Sequence, residues 1–201
     1  MPTWIAILIG AAGTWVIALI AIGGPIFRFI FRPRLTVQPN GFSGTTATHN
    51  NGLKARYYFV RVENNWRHLS SAHEVQLVLI RIQKSGAAGP EIVFDEIMPL
   101  PWQRQEYERL LTRTIGTPML GGIFYVQEDG VFSFTPAVAA GGIAAHFPQP
   151  QQGASTWWIT LRALSIETDS PPVRLRIDWN GQWHAGKAEL EGACTVRIDP
   201  E

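Results

Sequence analysis

From Ala55 onward, apolar side chains recur at every second position in a series of short runs, and this period of two constrains the fold more than any other feature of the chain. ARYYFVRVEN, Ala55 to Asn64, sets Tyr57, Phe59 and Arg61 against Tyr58, Val60 and Val62. EVQLVLIRIQ, Glu74 to Gln83, sets Val75, Leu77 and Leu79 against Gln76, Val78, Ile80 and Ile82. Further strands are expected at Glu91 to Ile97, Gly122 to Gln127, Val131 to Thr135, Gly142 to Phe147, Ser155 to Leu164, Val173 to Trp179 and Cys194 to Ile198. Turn-forming stretches (SGAAGP, QEDG, PQPQQG, TDSPP, WNGQW) divide them, and EDG and NGQ favour hairpins. Only Gln103 to Thr114 has helical spacing, through Tyr107, Leu110 and Leu111. Many strands without intervening helices predict an all-β sandwich or barrel over residues 55–201, carrying one short helix.

The first 31 residues are of another kind. Trp4 to Phe27 is a run of 24 residues without a charge, and a helix of that length spans about 36 Å, enough for a hydrocarbon core of about 30 Å. The opening MPTW has no Lys or Arg, and the apolar stretch is longer than a secretory h-region, so an uncleaved transmembrane anchor helix is expected within residues 1–31. Arg28, Arg32 and Arg34 follow the run and none precedes it, which places the lipid headgroups there, the N-terminus outside and the β domain in the cytoplasm, at a cell (inner) membrane crossed once. Ala6, Gly10, Thr14 and Ala18 recur every four residues, either as a helix-packing face or as the ordinary small-residue content of a span. Trp15 falls mid-span, where its indole N–H needs a partner helix, a pigment or a lipid carbonyl, unless the ring is simply tolerated in lipid. Residues 32–54, rich in Pro, Gly, Asn, Ser and Thr, read as a juxtamembrane linker with a first short strand at Leu35 to Gln38.

Formal net charge is +1, but setting aside the three arginines beside the span leaves 14 basic against 16 acidic side chains, net −2. That balance gives no nucleic-acid footprint. Cys194 is the only cysteine, which excludes an intrachain disulfide and any cysteine-built metal site.

Catalytic patterns are sparse. His68 and His73, with Glu74 adjacent, bring two imidazoles and a carboxylate near a turn, but their spacing fits no familiar metal motif, and hydrogen-bonded surface histidines are the plainer reading. GTPMLGG, Gly116 to Gly122, lacks the Lys and Ser/Thr of a phosphate loop and precedes a strand. No G-x-S-x-G elbow is present. Asp95 and Glu96, being neighbours on an expected strand, point to opposite faces. Glu106 with Glu108, and Glu128 with Asp129, show no converging pair. The expectation is a non-enzyme without cofactor or metal.

Tryptophan is unusually frequent, with eight residues in the chain. Trp66, Trp102, Trp157, Trp158, Trp179 and Trp183 all lie beyond the apolar segment, and adjacent strand positions send Trp157 and Trp158 to opposite faces. Trp157, Trp158, Trp179 and Trp183 are therefore candidate docking aromatics, with core packing as the alternative.

VRVENN, a polar turn and then SSAHEVQLVLIRI resembles the immunoglobulin-like β-sandwich modules of prokaryotic membrane-anchored proteins, over residues 57–82. The resemblance implies a binding or spacing module and brings no catalytic residues. The expected role is an accessory, structural subunit of a larger membrane complex, for example respiratory or photosynthetic, in contact with other membrane-protein subunits. The alternative is a free-standing anchored module that binds a ligand or peptide.

Overall fold

The structure is a computed structural model, and it describes residues 32–40, 44–65, 70–103, 113–135 and 147–199. The chain divides into two units, Met1–Arg32 and Pro33–Glu201, and the architecture belongs to the second. Its strands in chain order are β1 (Leu35–Pro39), β2 (Thr45–Thr48), β3 (Lys54–Asn64), β4 (Ala72–Gly86), β5 (Gly89–Phe94), β6 (Met98–Pro99) and β7 (Arg113–Ile115). Then come β8 (Met119–Gln127), β9 (Val131–Phe134), β10 (Gln151–Gln152), β11 (Ser155–Leu164), β12 (Val173–Trp179), the helix α1 (Lys187–Ala193) and β13 (Cys194–Ile198).

Two antiparallel sheets result. The first runs β1-β3-β8-β9-β10, with β2 in line with β1 along the same edge of β3. The second runs β13-β12-β11-β4-β5, and β6 and β7 share the β5 side of the long β4. The period of two decides which residues meet between them. On β11, Trp157, Ile159, Leu161 and Ala163 are buried while Trp158, Thr160 and Arg162 are half-buried on the other face. On β12, Leu175, Ile177 and Trp179 point inward and Arg174, Arg176 and Asp178 outward.

The sheets close on one apolar core, giving a sandwich-like fold. Phe132 of β9 stacks on Trp157 of β11 at 5.7 Å, and Phe134 meets the same indole edge-on at 5.2 Å. Asn64, itself buried, ends β3 by accepting the Arg34 N–H and donating to the Ser70 carbonyl, which ties β1 to the turn that leads across to β4.

The expected fold class needs correction in its helices. Among the described residues no helix is long and apolar enough to cross a membrane. The one described helix, α1, has 7 residues and is about 10 Å long, a third of a hydrocarbon core. The anchor expected within residues 1–31 falls outside the described residues. The helix expected at Gln103 to Thr114 is corrected in its last part: residues 104–112 lie outside the description, and Arg113–Ile115 is extended and pairs with β4. Ile115 is fully buried there, and β-branched Thr114 and Ile115 suit a strand.

Two local readings also change. β12 and β13 do pair antiparallel, but through the connection 180–193 that contains α1, not through a tight NG hairpin. Of the strand expected at Gly142 to Phe147, residues 142–146 lie outside the description, and Phe147 is a loop residue packed edge-on against Phe94 at 5.2 Å. Residues 32–54 hold two strands, since β2 joins β1 on the edge of β3.

Candidate functional site

The outer face of the second sheet carries the densest grouping of chemistry among the described residues. In one cross-strand row Trp158 lies opposite Gln83 and Arg176, and Arg176 lies opposite Arg197. In the next row Thr160 lies between Arg81 and Arg174. The guanidinium carbons of Arg176 and Arg174 stand 5.4 and 6.0 Å from the Trp158 ring centre, a cation–π arrangement that holds the indole half-covered. Like charges directly opposite across strands are unfavourable, and Asp178 relieves the Arg176–Arg197 pair. Both of its oxygens accept from Arg176 Nε at 3.0 Å, Arg197 reaches it at 3.6 Å, and the Thr156 hydroxyl donates to it at 2.8 Å.

Beside this platform opens a groove of about 360 Å³ lined by Val37, Thr160, Pro172, Val173, Arg174, Ile198 and Asp199. Arg174 stands at the junction. Its Nη2 donates to the Gln83 side-chain oxygen at 3.2 Å, whereas its Nε is buried without a hydrogen-bond partner. The Asp199 carboxylate is 3.9 Å from that Nε, beyond hydrogen-bond length.

A third feature is apolar. Ile92, Val93 and Ile97, at the β5 edge and just beyond it, are 55%, 36% and 66% exposed. The Ile82/Gln83 irregularity in the β4–β5 pairing leaves Val93 without a cross-strand partner, and Pro90 supplies no N–H. Both features guard an edge strand against strand addition.

The residues singled out from the sequence separate clearly. Ala6, Gly10, Thr14, Trp15, Ala18 and Arg28 lie outside the described residues, as do Trp66, His68, His146, Glu106 and Glu108. Arg32 and Arg34 are exposed. Trp157 is buried, with its indole N–H donated to Ser155 at 2.9 Å. Trp102 and Trp179 are buried, and Trp183 packs against the core from its margin. Of the four candidate docking aromatics, Trp158 alone stands on the sheet's outer face.

His73 does not converge with Glu74. Its partner is Glu167, which accepts the His73 backbone N–H at 3.0 Å and lies 2.6 Å from Nδ1. Burial pushes the Glu167 carboxyl up, but the two hydrogen bonds from His73 outweigh it and hold the group below its ordinary range. Among the described residues no three His, Cys, Asp or Glu side chains gather to hold a metal ion. Asp95 pairs with Arg81 at 2.9 Å. Glu128 accepts the Lys54 N–H and Asp129 the Val131 N–H, so both fasten the β8–β9 turn.

Sequence reasoning missed the groove and a ring cluster on the first sheet. There His49 stacks on Tyr125 at 4.9 Å and its Nδ1 lies 2.6 Å from the Tyr57 hydroxyl. The signal for the groove was present in VRLRID, where arginines alternate with core residues. What stayed hidden was which of those arginines would keep an Nε without a hydrogen-bond partner. In comparisons with protein-family models, with curated proteins and with solved structures, nothing matches this chain.

Proposed function

We propose that this chain is a non-catalytic accessory module that works by binding, with its β-sandwich bracing neighbouring proteins in a larger assembly. One observation carries the reading. Of the five large apolar side chains that are exposed among the described residues, three (Ile92, Val93 and Ile97) fall within six consecutive positions at one sheet edge. Apolar residues scattered singly on a surface need no explanation, whereas a concentration of them at one sheet edge supports a contact role for that edge. The likeness of residues 57–82 to immunoglobulin-like modules agrees with the proposal, because β3 and β4 belong to opposite sheets and the chain crosses the sandwich between them.

The test is site-specific photocrosslinking in the native cell. A photoreactive residue at Ile97 is expected to yield one discrete adduct with another protein, and the same group at exposed Arg61 on the first sheet none. Absence of an adduct at both Ile92 and Ile97, or identical adducts at the control, would remove the docking role from this edge. A second reading, a ligand-binding module, is favoured by the groove at Arg174.

A further inference from the structure

We propose that the groove beside Arg174 is a binding site for a small amphipathic carboxylate, whose apolar body rests on Val37, Pro172, Val173 and Ile198 and whose carboxylate is held by the Arg174 guanidinium. The site is independent of docking at the β5 edge, shares no residue with it, and either can fail alone.

The groove, at about 360 Å³, has the size of a small-molecule site and the usual makeup of one: mostly apolar walls with a few fixed polar groups. A macromolecular segment would need a longer cleft. The polar group is positioned before any ligand arrives. Gln83 fixes Nη2 at 3.2 Å and the Trp158 ring flanks the guanidinium, so the head of Arg174 loses little freedom on binding.

The sign of the ligand follows from Nε. It makes no hydrogen bond, and its neighbouring charge, Asp199, stands off at 3.9 Å, so this donor can take a closer acceptor once Asp199 moves aside. A carboxylate oxygen meets it with a charge-assisted bond, which an alcohol or amide does less well. Asp199 does not meet it: the carboxylate stands off at 3.9 Å, while its own backbone N–H is tied to the Arg174 carbonyl at 3.0 Å. Asp199 thus lines the groove as a competing negative charge that a bound anion has to displace.

That geometry gives a test with opposite signs at two residues. The purified full-length chain is titrated calorimetrically with phenylbutyrate and with decanoate, and with phenylbutyramide as the uncharged control. Both carboxylates are expected to bind, and the amide about 10-fold more weakly or not at all. Asp199→Asn is expected to tighten carboxylate binding several-fold, and Arg174→Gln to weaken it about 10-fold or more. Ile198→Glu, at a side chain 56% exposed and therefore safe for folding, puts a like charge at the groove and is expected to abolish binding even if Arg174→Gln unfolds the chain. Failure of both carboxylates to bind, equal binding of the amide, or a loss of affinity in Asp199→Asn would overturn the proposal.

Discussion

Gly121 of β8 and Leu77 of β4 meet across the sandwich so closely that a Cβ on Gly121 would overlap the end of the Leu77 side chain. Leu77 is fully buried, so it has no open space to move into. Gly121→Ala is expected to destabilise the fold by about 1–3 kcal/mol through overpacking, and Leu77→Ala by about 2–5 kcal/mol through a cavity. The double variant should cost less than the sum, because the shortened side chain makes room for the new methyl. Urea unfolding of the four proteins measures this coupling.

Trp157 and Trp158 should behave as opposites despite being neighbours. Trp157 fills the core between Phe132 and Phe134, and Trp157→Ala is expected to cost about 3–5 kcal/mol. Trp158 lies on the outer face among arginines, and Trp158→Ala should cost about 1 kcal/mol, the worth of its exposed cation–π contacts. Thermal unfolding separates the two.

Alkaline pH should weaken the fold through one buried pair. Burial pushes the Cys194 thiol up to about 12 from 9.0, and burial followed by the nearby Cys194 pushes the Tyr58 phenol above its ordinary range. The unfolded thiol releases its proton near pH 9 while the folded one keeps it, so the unfolded state binds fewer protons and stability falls as pH rises from about 9 towards 12. Each group contributes a slope on the order of 1.4 kcal/mol per pH unit, with Tyr58 entering above about pH 10. Cys194→Ala should flatten the 9-to-12 limb relative to the parent, as read from urea midpoints across that range. The same burial predicts that a thiol reagent at pH 8 labels Cys194 only after denaturant is added.

The strands and their inward faces were legible because a half-buried strand writes its burial into alternate letters, as STWWITLRAL and VRLRIDW do. β2 was not legible: its four residues, TTAT, are all exposed and carry no apolar alternation. α1 was missed because KAELEGA buries only Leu190 and Ala193, too few for a helical period, and NG before it signals a turn. Among the candidate site residues, adjacency alone separated Trp157 from Trp158. Groove formation at Arg174 depends on four separate segments, Val37, Thr160, residues 172–174 and Ile198 with Asp199, and no local pattern brings those together.

Docking through the β5 edge predicts a specific effect of charge. Ile92→Lys with Ile97→Lys replaces two exposed apolar side chains, so folding should be unchanged within about 0.5 kcal/mol while partner binding is lost. The mass of the natively purified, tagged full-length chain tests this most directly. The expected result is a particle well above the 22.4 kDa of one chain, with a second protein in fixed ratio, which falls to a single chain in the double-lysine variant. A parent protein that runs as one chain alone, or a variant that keeps its partner, would contradict it.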